Sequence, residues 1–235
     1  MPSESAFTRT TQPMVTGGSV VALKYAGGVM VATDTICSYG SMAKFDNITR
    51  MSKVGVAGDT LLAAGGDYSD YQQMLKIIDI RATEEFAMDD GASMSASALH
   101  HWLTRILYQR RSKMDPLWNN IIIAGSRDGK TYLGTSDLYG SMYTEDFVAT
   151  GLGAHMALPL IRKAWRPDLT EAEARKLLED CMRVLFYRDT RASNKINIGK
   201  VDSSGASVSE PITLETYWEH KEFVRGGGHL GDGSW

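Results

Sequence analysis

The sequence predicts an α+β fold in four layers, αββα: two antiparallel sheets packed face to face, with a helix pair on each outer side. Three observations lead there. Strand-like and helix-like segments come in runs, ββββ-αα-ββββ-αα-ββ, whereas a doubly wound parallel sheet alternates them singly. The strand segments are apolar at nearly every position, so both faces of each sheet need cover. Each helical segment carries an apolar stripe at helical spacing.

The elements follow in order. Val20 to Tyr25 and Val29 to Ala32 flank Ala26-Gly27-Gly28, which reads as a hairpin buried on both faces. A second pair lies near Val54-Gly55-Val56 and Leu61 to Ala64. A helix follows, with Asp67 as N-cap and Tyr68, Tyr71, Leu75, Ile78, Ala82 and Phe86 as its stripe. The next carries Leu99, Trp102, Leu103, Ile106 and Leu107. Asn120 to Gly125 is a buried strand that turns at Arg127-Asp128-Gly129-Lys130 and returns through Thr131 to Gly134. A helix from Gly153 to about Trp165 tolerates Pro159 only in its early turns. Thr170 and Glu173 form a capping box for the last helix, whose stripe is Ala174, Leu177, Leu178, Cys181, Met182 and Leu185. Asn194 to Val201 and Ala206 to Leu214 read as closing strands.

Composition narrows the function classes. The chain has 235 residues, 43% apolar and 23% charged, with net charge −3, which suits one large domain and gives no basic surface for nucleic acid. Two cysteines, Cys37 and Cys181, point to a reducing compartment rather than a disulfide scaffold. No apolar run approaches the roughly 20 residues of a membrane span. The N-terminus lacks the apolar core of a secretory signal.

Specific residues then resemble a known family. Gly17-Gly18-Ser19-Val20, continuing through Tyr25-Ala26-Gly27-Gly28 to Thr33-Asp34, resembles the first hairpin of proteasome β subunits. Ser38-Tyr39-Gly40-Ser41 resembles the loop after it, and Gly66-Asp67 the start of the first helix. Longer stretches are similar too: Thr11 to Gly17, Arg110 to Asn119, and Met182 to Asp189. The resemblance runs from about Thr11 to Trp218. It implies the N-terminal nucleophile hydrolase form of the αββα sandwich, with residues 1–17 an N-terminal extension or short propeptide, 18–216 the domain and 217–235 a C-terminal arm.

Active members of that family attack the peptide carbonyl with the hydroxyl of an N-terminal threonine, whose own amine is the general base. A lysine, two aspartates and two serines support them. The resemblance places the nucleophile at Gly18, which has no hydroxyl. It places the first aspartate at Asp34, the lysine at Arg50, the serines at Leu152 and Ala192, and the second aspartate at Asp189. Arginine keeps the charge but does not give up its proton. The chain is therefore expected to be a non-catalytic subunit of the 20S core particle. Its expected partners are β subunits of its own and the opposite ring and α subunits, in ubiquitin- and ATP-dependent protein degradation in cytoplasm and nucleus. No cofactor or metal is implied. Self-cleavage before Gly18 is not expected, because the cut uses the same hydroxyl.

Two rivals stay in view. Ser19 could serve as nucleophile in an active peptidase, but neighbouring strand residues face opposite ways, which turns it from Asp34. A homomeric peptidase ring would need every subunit active. Asp34 and Asp189 read best as structural acids, and Arg188-Asp189 could pair with Arg50. The adjacent His100 and His101 point in different directions, against a metal site. Arg110, Arg111 and Lys113 sit where a helix C-terminus favours cations, or where a subunit is contacted. Tyr217, Trp218, Phe223 and Trp235 are aromatics on an end without helix or strand pattern, and are candidate interface anchors. The glycine-rich end departs from the family.

Overall fold

The computed structural model describes residues 11–219. Seven strands come first: β1 (Val15–Gly17), β2 (Val20–Tyr25), β3 (Gly28–Asp34), β4 (Cys37–Tyr39), β5 (Met42–Phe45), β6 (Met51–Val54) and β7 (Thr60–Asp67). Helices α1 (Tyr68–Met88) and α2 (Ala96–Ser112) follow. Then come β8 (Asn119–Arg127), β9 (Lys130–Ser136), β10 (Met142–Thr144) and β11 (Phe147–Ala149). Helices α3 (Gly153–Met156), α4 (Leu158–Ala164) and α5 (Glu171–Arg188) precede β12 (Lys195–Asp202), β13 (Gly205–Val208) and β14 (Ile212–Thr213).

The strands form two antiparallel sheets. One runs β10-β9-β8-β7-β1-β4-β5, with β6 also on β7; the other runs β11-β2-β3-β12-β13, with β14 on β12. Strand alternation assigns the side chains to layers. Along β7, Leu61 and Ala63 face Val20, Val29 and Val31 of the other sheet, while Leu62 and Ala64 face Tyr71, Met74 and Leu103 of α1 and α2. Along β3, Val29 and Val31 lie between the sheets, and Met30 and Ala32 lie under Leu178, Cys181 and Leu185 of α5. Strands β3 and β7 are covered on both sides, which is why they carry no polar alternation. Full burial of such aliphatic side chains stabilises by about 1.5–3 kcal/mol each.

Local signals explain the helix starts. Asp67 accepts from the Ser69 and Asp70 amides and opens α1. Thr170 and Glu173 close the capping box of α5, with Glu173 accepting from the Thr170 amide at 2.9 Å. Donation from Thr170 and Arg166 holds the Glu173 carboxyl well down, at about 2.

Several expectations need correction. On α1 Tyr71 and Ile78 are buried and Tyr68 and Leu75 pack against the core as expected, but the stripe also includes the buried Met74, and Phe86 is 75% exposed in the last turn. Met74 is three residues from Tyr71 and four from Ile78, so it shares their face; Phe86 lies beyond the reach of the sheet. Gly55 and Val56 lie outside β6, because Gly55 takes φ +81° and turns the chain. The helix expected from Gly153 is split at Ala157 into α3 and α4, because Pro159 has no N–H to continue the ladder. Strands β1, β4 and β5 are too short and mixed to show periodicity.

Candidate functional site

Four of the six residues named by the resemblance, Gly18, Asp34, Arg50 and Asp189, come together where the two sheets exchange chain. Strand β7 offers one edge to two strands: Thr60 to Ala63 pair with β6, and Gly66 and Asp67 pair with β1. Arg50, just ahead of β6, fills the gap between them. Its carbonyl accepts from the Ala64 amide at 3.0 Å. Its side chain is 2% exposed and runs beneath the β1–β2 junction.

The Arg50 guanidinium is committed in four directions. Nη1 donates to the carbonyls of Gly18 at 3.1 Å and Ala64 at 3.0 Å. Nη2 donates to the carbonyl of Ser19 at 3.1 Å and to Asp34 Oδ1 in a fully buried ion pair. Nε is buried without a hydrogen-bond partner. Burial pushes the Asp34 carboxyl above the usual carboxylate range; the Arg50 charge and hydrogen bond pull the other way, and Asp189 adds to the rise.

Gly18 and Gly17 differ in kind. A Cβ on Gly18 would stand 3.6 Å from Asp34 Oδ2 and 3.9 Å from Asp189 Oδ2, ordinary contact distances. Space for a side chain therefore exists at Gly18, between two carboxylates. A Cβ on Gly17 would overlap Arg50 Cδ. Gly17 is needed by Arg50, and sequence reasoning missed it; the Gly17-Gly18 pair was the available signal.

Ser19 points elsewhere. Its buried hydroxyl accepts from the Gly153 amide at 2.9 Å. That position opens α3, where Leu152 stands as N-cap without a capping side chain. Ser19 thus supplies the cap that Leu152 cannot. Leu152 is 37% exposed. Asp189 caps the C-terminus of α5; its amide donates to Leu185 at 2.7 Å, and its Oδ1 accepts from the Arg191 amide at 2.9 Å. The Ala192 amide donates to the Asp189 carbonyl at 3.1 Å. The suggested pairing of Arg50 with Arg188-Asp189 is corrected: the acid on Arg50 is Asp34, which leaves β3 directly beneath it.

The other candidates resolve into structural contacts. His100 is wholly buried, with Nδ1 2.8 Å from Tyr132 Oη and Nε2 2.7 Å from Ser136 Oγ. Thr104 joins the same Ser136 hydroxyl at 2.7 Å. Burial pulls the His100 imidazole down to about 4, with help from His101. Among the described residues no group of three or more His, Cys, Asp or Glu could hold a metal. Burial pushes the Cys37 thiol up to about 11 and Cys181 up to about 12, away from reactive thiolates. No described helix is long and apolar enough to cross a membrane.

At the C-terminal arm, Trp218 packs edge-on against Tyr187 and Phe186, with centroids 4.9 and 5.8 Å away. The Tyr187 hydroxyl accepts from the Tyr217 amide at 2.7 Å. Both arm residues stay more than 60% exposed, Tyr217 at 61% and Trp218 at 63%. Phe223 and Trp235 lie outside the described residues.

Comparison with known proteins agrees with this architecture. The family model described as proteasome subunit matches residues 14–201. Proteasome subunit beta type-4 of Xenopus laevis is 44% identical over 227 residues, 96% of this chain and 93% of that protein. Its Arabidopsis thaliana counterpart is 43% identical over 221 residues, 94% of this chain and 89% of that protein. Proteasome subunit beta type-7 of Saccharomyces cerevisiae is 36% identical over 236 residues, 95% of this chain and 88% of that protein. The chain belongs to the proteasome subunit family and is a β subunit, similar over most of its length to beta type-4.

Proposed function

We propose that this proteasome β subunit is a non-catalytic member of the 20S core: it completes a β ring and walls the chamber in which neighbouring active subunits cut protein. The observation that carries the reading is the pairing of Gly18 with Arg50. Acyl transfer needs a hydroxyl and a base at one place. Gly18 has no hydroxyl. In the continuous chain its nitrogen is an amide, and amides are not bases. A guanidinium offers no acceptor for a proton, and both terminal nitrogens of Arg50 already donate to carbonyls and Asp34.

The segment ahead of Gly18 supports the same reading. β1 pairs with β4 on one side and β7 on the other. A cut before residue 18 would remove the strand that joins them. Residues 1–17 are an N-terminal extension or short propeptide whose Val15–Gly17 stay attached as β1, 18–216 the sandwich domain of N-terminal nucleophile hydrolase type, and 217–235 an arm with a glycine-rich tail toward other subunits. Partners are β subunits of the same and the opposite ring and α subunits, in cytoplasm and nucleus, with no cofactor. The rival, a peptidase using Ser19, has no observation in its favour, since that hydroxyl caps α3.

The test is to treat the purified particle with an electrophile that captures N-terminal threonine or serine nucleophiles and to weigh each chain intact. Adducts on other subunits, with none on this chain, are expected. An adduct here would overturn the reading and point to Ser19.

A further inference from the structure

The C-terminal end of α2 faces the turn between β9 and β10 across a concave patch of about 600 Å³ lined in part by Arg111, Met114, Pro116, Trp118, Leu138 and Tyr139. Most of its lining is apolar or aromatic; Thr11 and Ser112 add polar groups, and Arg111 is its one charged lining residue. Met114 is 78% exposed and Tyr139 57%. Isolated exposed apolar residues are ordinary on a protein surface. Here two come from separate segments and border one cavity.

Both walls are fixed in advance. Beyond α2, the Asp115 amide donates to the Arg110 carbonyl at 3.0 Å, and the Arg110 side chain returns to the Asp115 carboxylate at 3.1 Å. Met114 takes φ +56°, a left-handed backbone that an unbranched non-glycine residue adopts only where its surroundings hold it. Across the cavity, Asp137 Oδ1 accepts from the amides of Tyr139 and Ser141, each at 2.9 Å. Gly140 lies so close to α2 that a Cβ there would stand 2.7 Å from that of Tyr108. The two walls are thus tied together behind the patch.

The charges select the occupant. Asp115 is paired with Arg110, and Asp137 is spent on its own turn. Arg111 lies over the Tyr108 ring at 5.7 Å and meets no carboxylate among the described residues. The macrodipole of α2 explains why cations sit at this helix end. It does not explain an apolar hollow beside them.

We propose that this patch seats an acidic segment of an adjoining subunit, which places one large apolar side chain between Met114 and Tyr139 and a carboxylate on Arg111. A preformed, partly apolar socket beside a cation that meets no carboxylate among the described residues is the pattern of an interface anchor site. The proposal rests on the reading of the chain as a ring subunit.

The test uses the assembled particle. Tyr139 is replaced by photoreactive p-benzoylphenylalanine, the particle is irradiated, and the cross-linked peptides are sequenced. The expected product joins this chain to an acidic segment of another subunit, and Arg111→Glu lowers its yield about tenfold, by like-charge opposition. Cross-links only within this chain, including to residues 1–10, overturn the proposal, as does a basic partner segment or a yield indifferent to Arg111→Glu. Absence of the chain from the purified particle would instead bring down the ring-subunit reading itself, and the proposal with it.

Discussion

Arg50 and Gly17 hold one another in place: the arginine's Cδ occupies the volume that any side chain at residue 17 would need. The guanidinium reaches Gly18, Ser19, Ala64 and Asp34 only by crossing under that glycine. The two positions therefore behave as a unit.

Gly17→Ala is expected to destabilise the chain by about 1–3 kcal/mol through overpacking. Combined with Arg50→Ala, the loss should be smaller than the sum of the single losses, because removing Arg50 frees the space. Urea unfolding of the four proteins measures the coupling. Strict additivity would show that the two residues do not meet.

Asp34→Ala leaves the Arg50 charge buried without its acid. A cost of about 3–5 kcal/mol is expected, as for other broken buried pairs. A shift in the urea midpoint at constant slope would register it. An effect below about 1 kcal/mol would mean that water reaches the pair.

Gly18→Thr should fold, since its Cβ would stand at ordinary distances of 3.6 and 3.9 Å from the two carboxylates. It should nevertheless gain no activity. The hydroxyl would meet an amide instead of an amine, and an arginine in place of a proton-exchanging lysine. Intact mass after exposure to an electrophile for N-terminal nucleophiles checks this; a new adduct would show that Gly18 alone silences the site.

His100 makes stability depend on pH. Its folded value is lowered to about 4 from 6.5, so the native state holds it neutral while the unfolded chain takes up a proton. The contribution is fully present above about pH 6.5 and is lost as pH falls toward 4. Thermal unfolding from pH 7.5 to 4.5 should show a falling midpoint, less steep in His100→Gln. Parallel curves would remove His100 as the cause.

Much of this structure was legible in the sequence. The hairpin of β2 and β3, the Asp67 cap and the Thr170 box each depend on a few adjacent residues, and local chemistry decides them. Phe86 was misplaced because periodicity gives the direction of a side chain but not where the sheet beneath it ends. The positions Gly18, Asp34 and Arg50 were identified by resemblance; that Arg50 meets Asp34 and not Asp189 depends on the gap between β6 and β1, which only the sheet order reveals. Ser19 as a cap for α3 joins residues 134 apart in sequence, beyond any local rule.

The place of β1 also bears on when the molecule can close. Thr16 is made before either of its partners, Ser38 of β4 by 22 residues and Asp67 of β7 by 51. At synthesis rates of roughly 5–20 residues per second, the strand waits about 3–10 seconds for the edge that receives it. During that interval the β7-facing edge of β1 is open to chaperones or to a foreign strand, even with β4 already made on its other side.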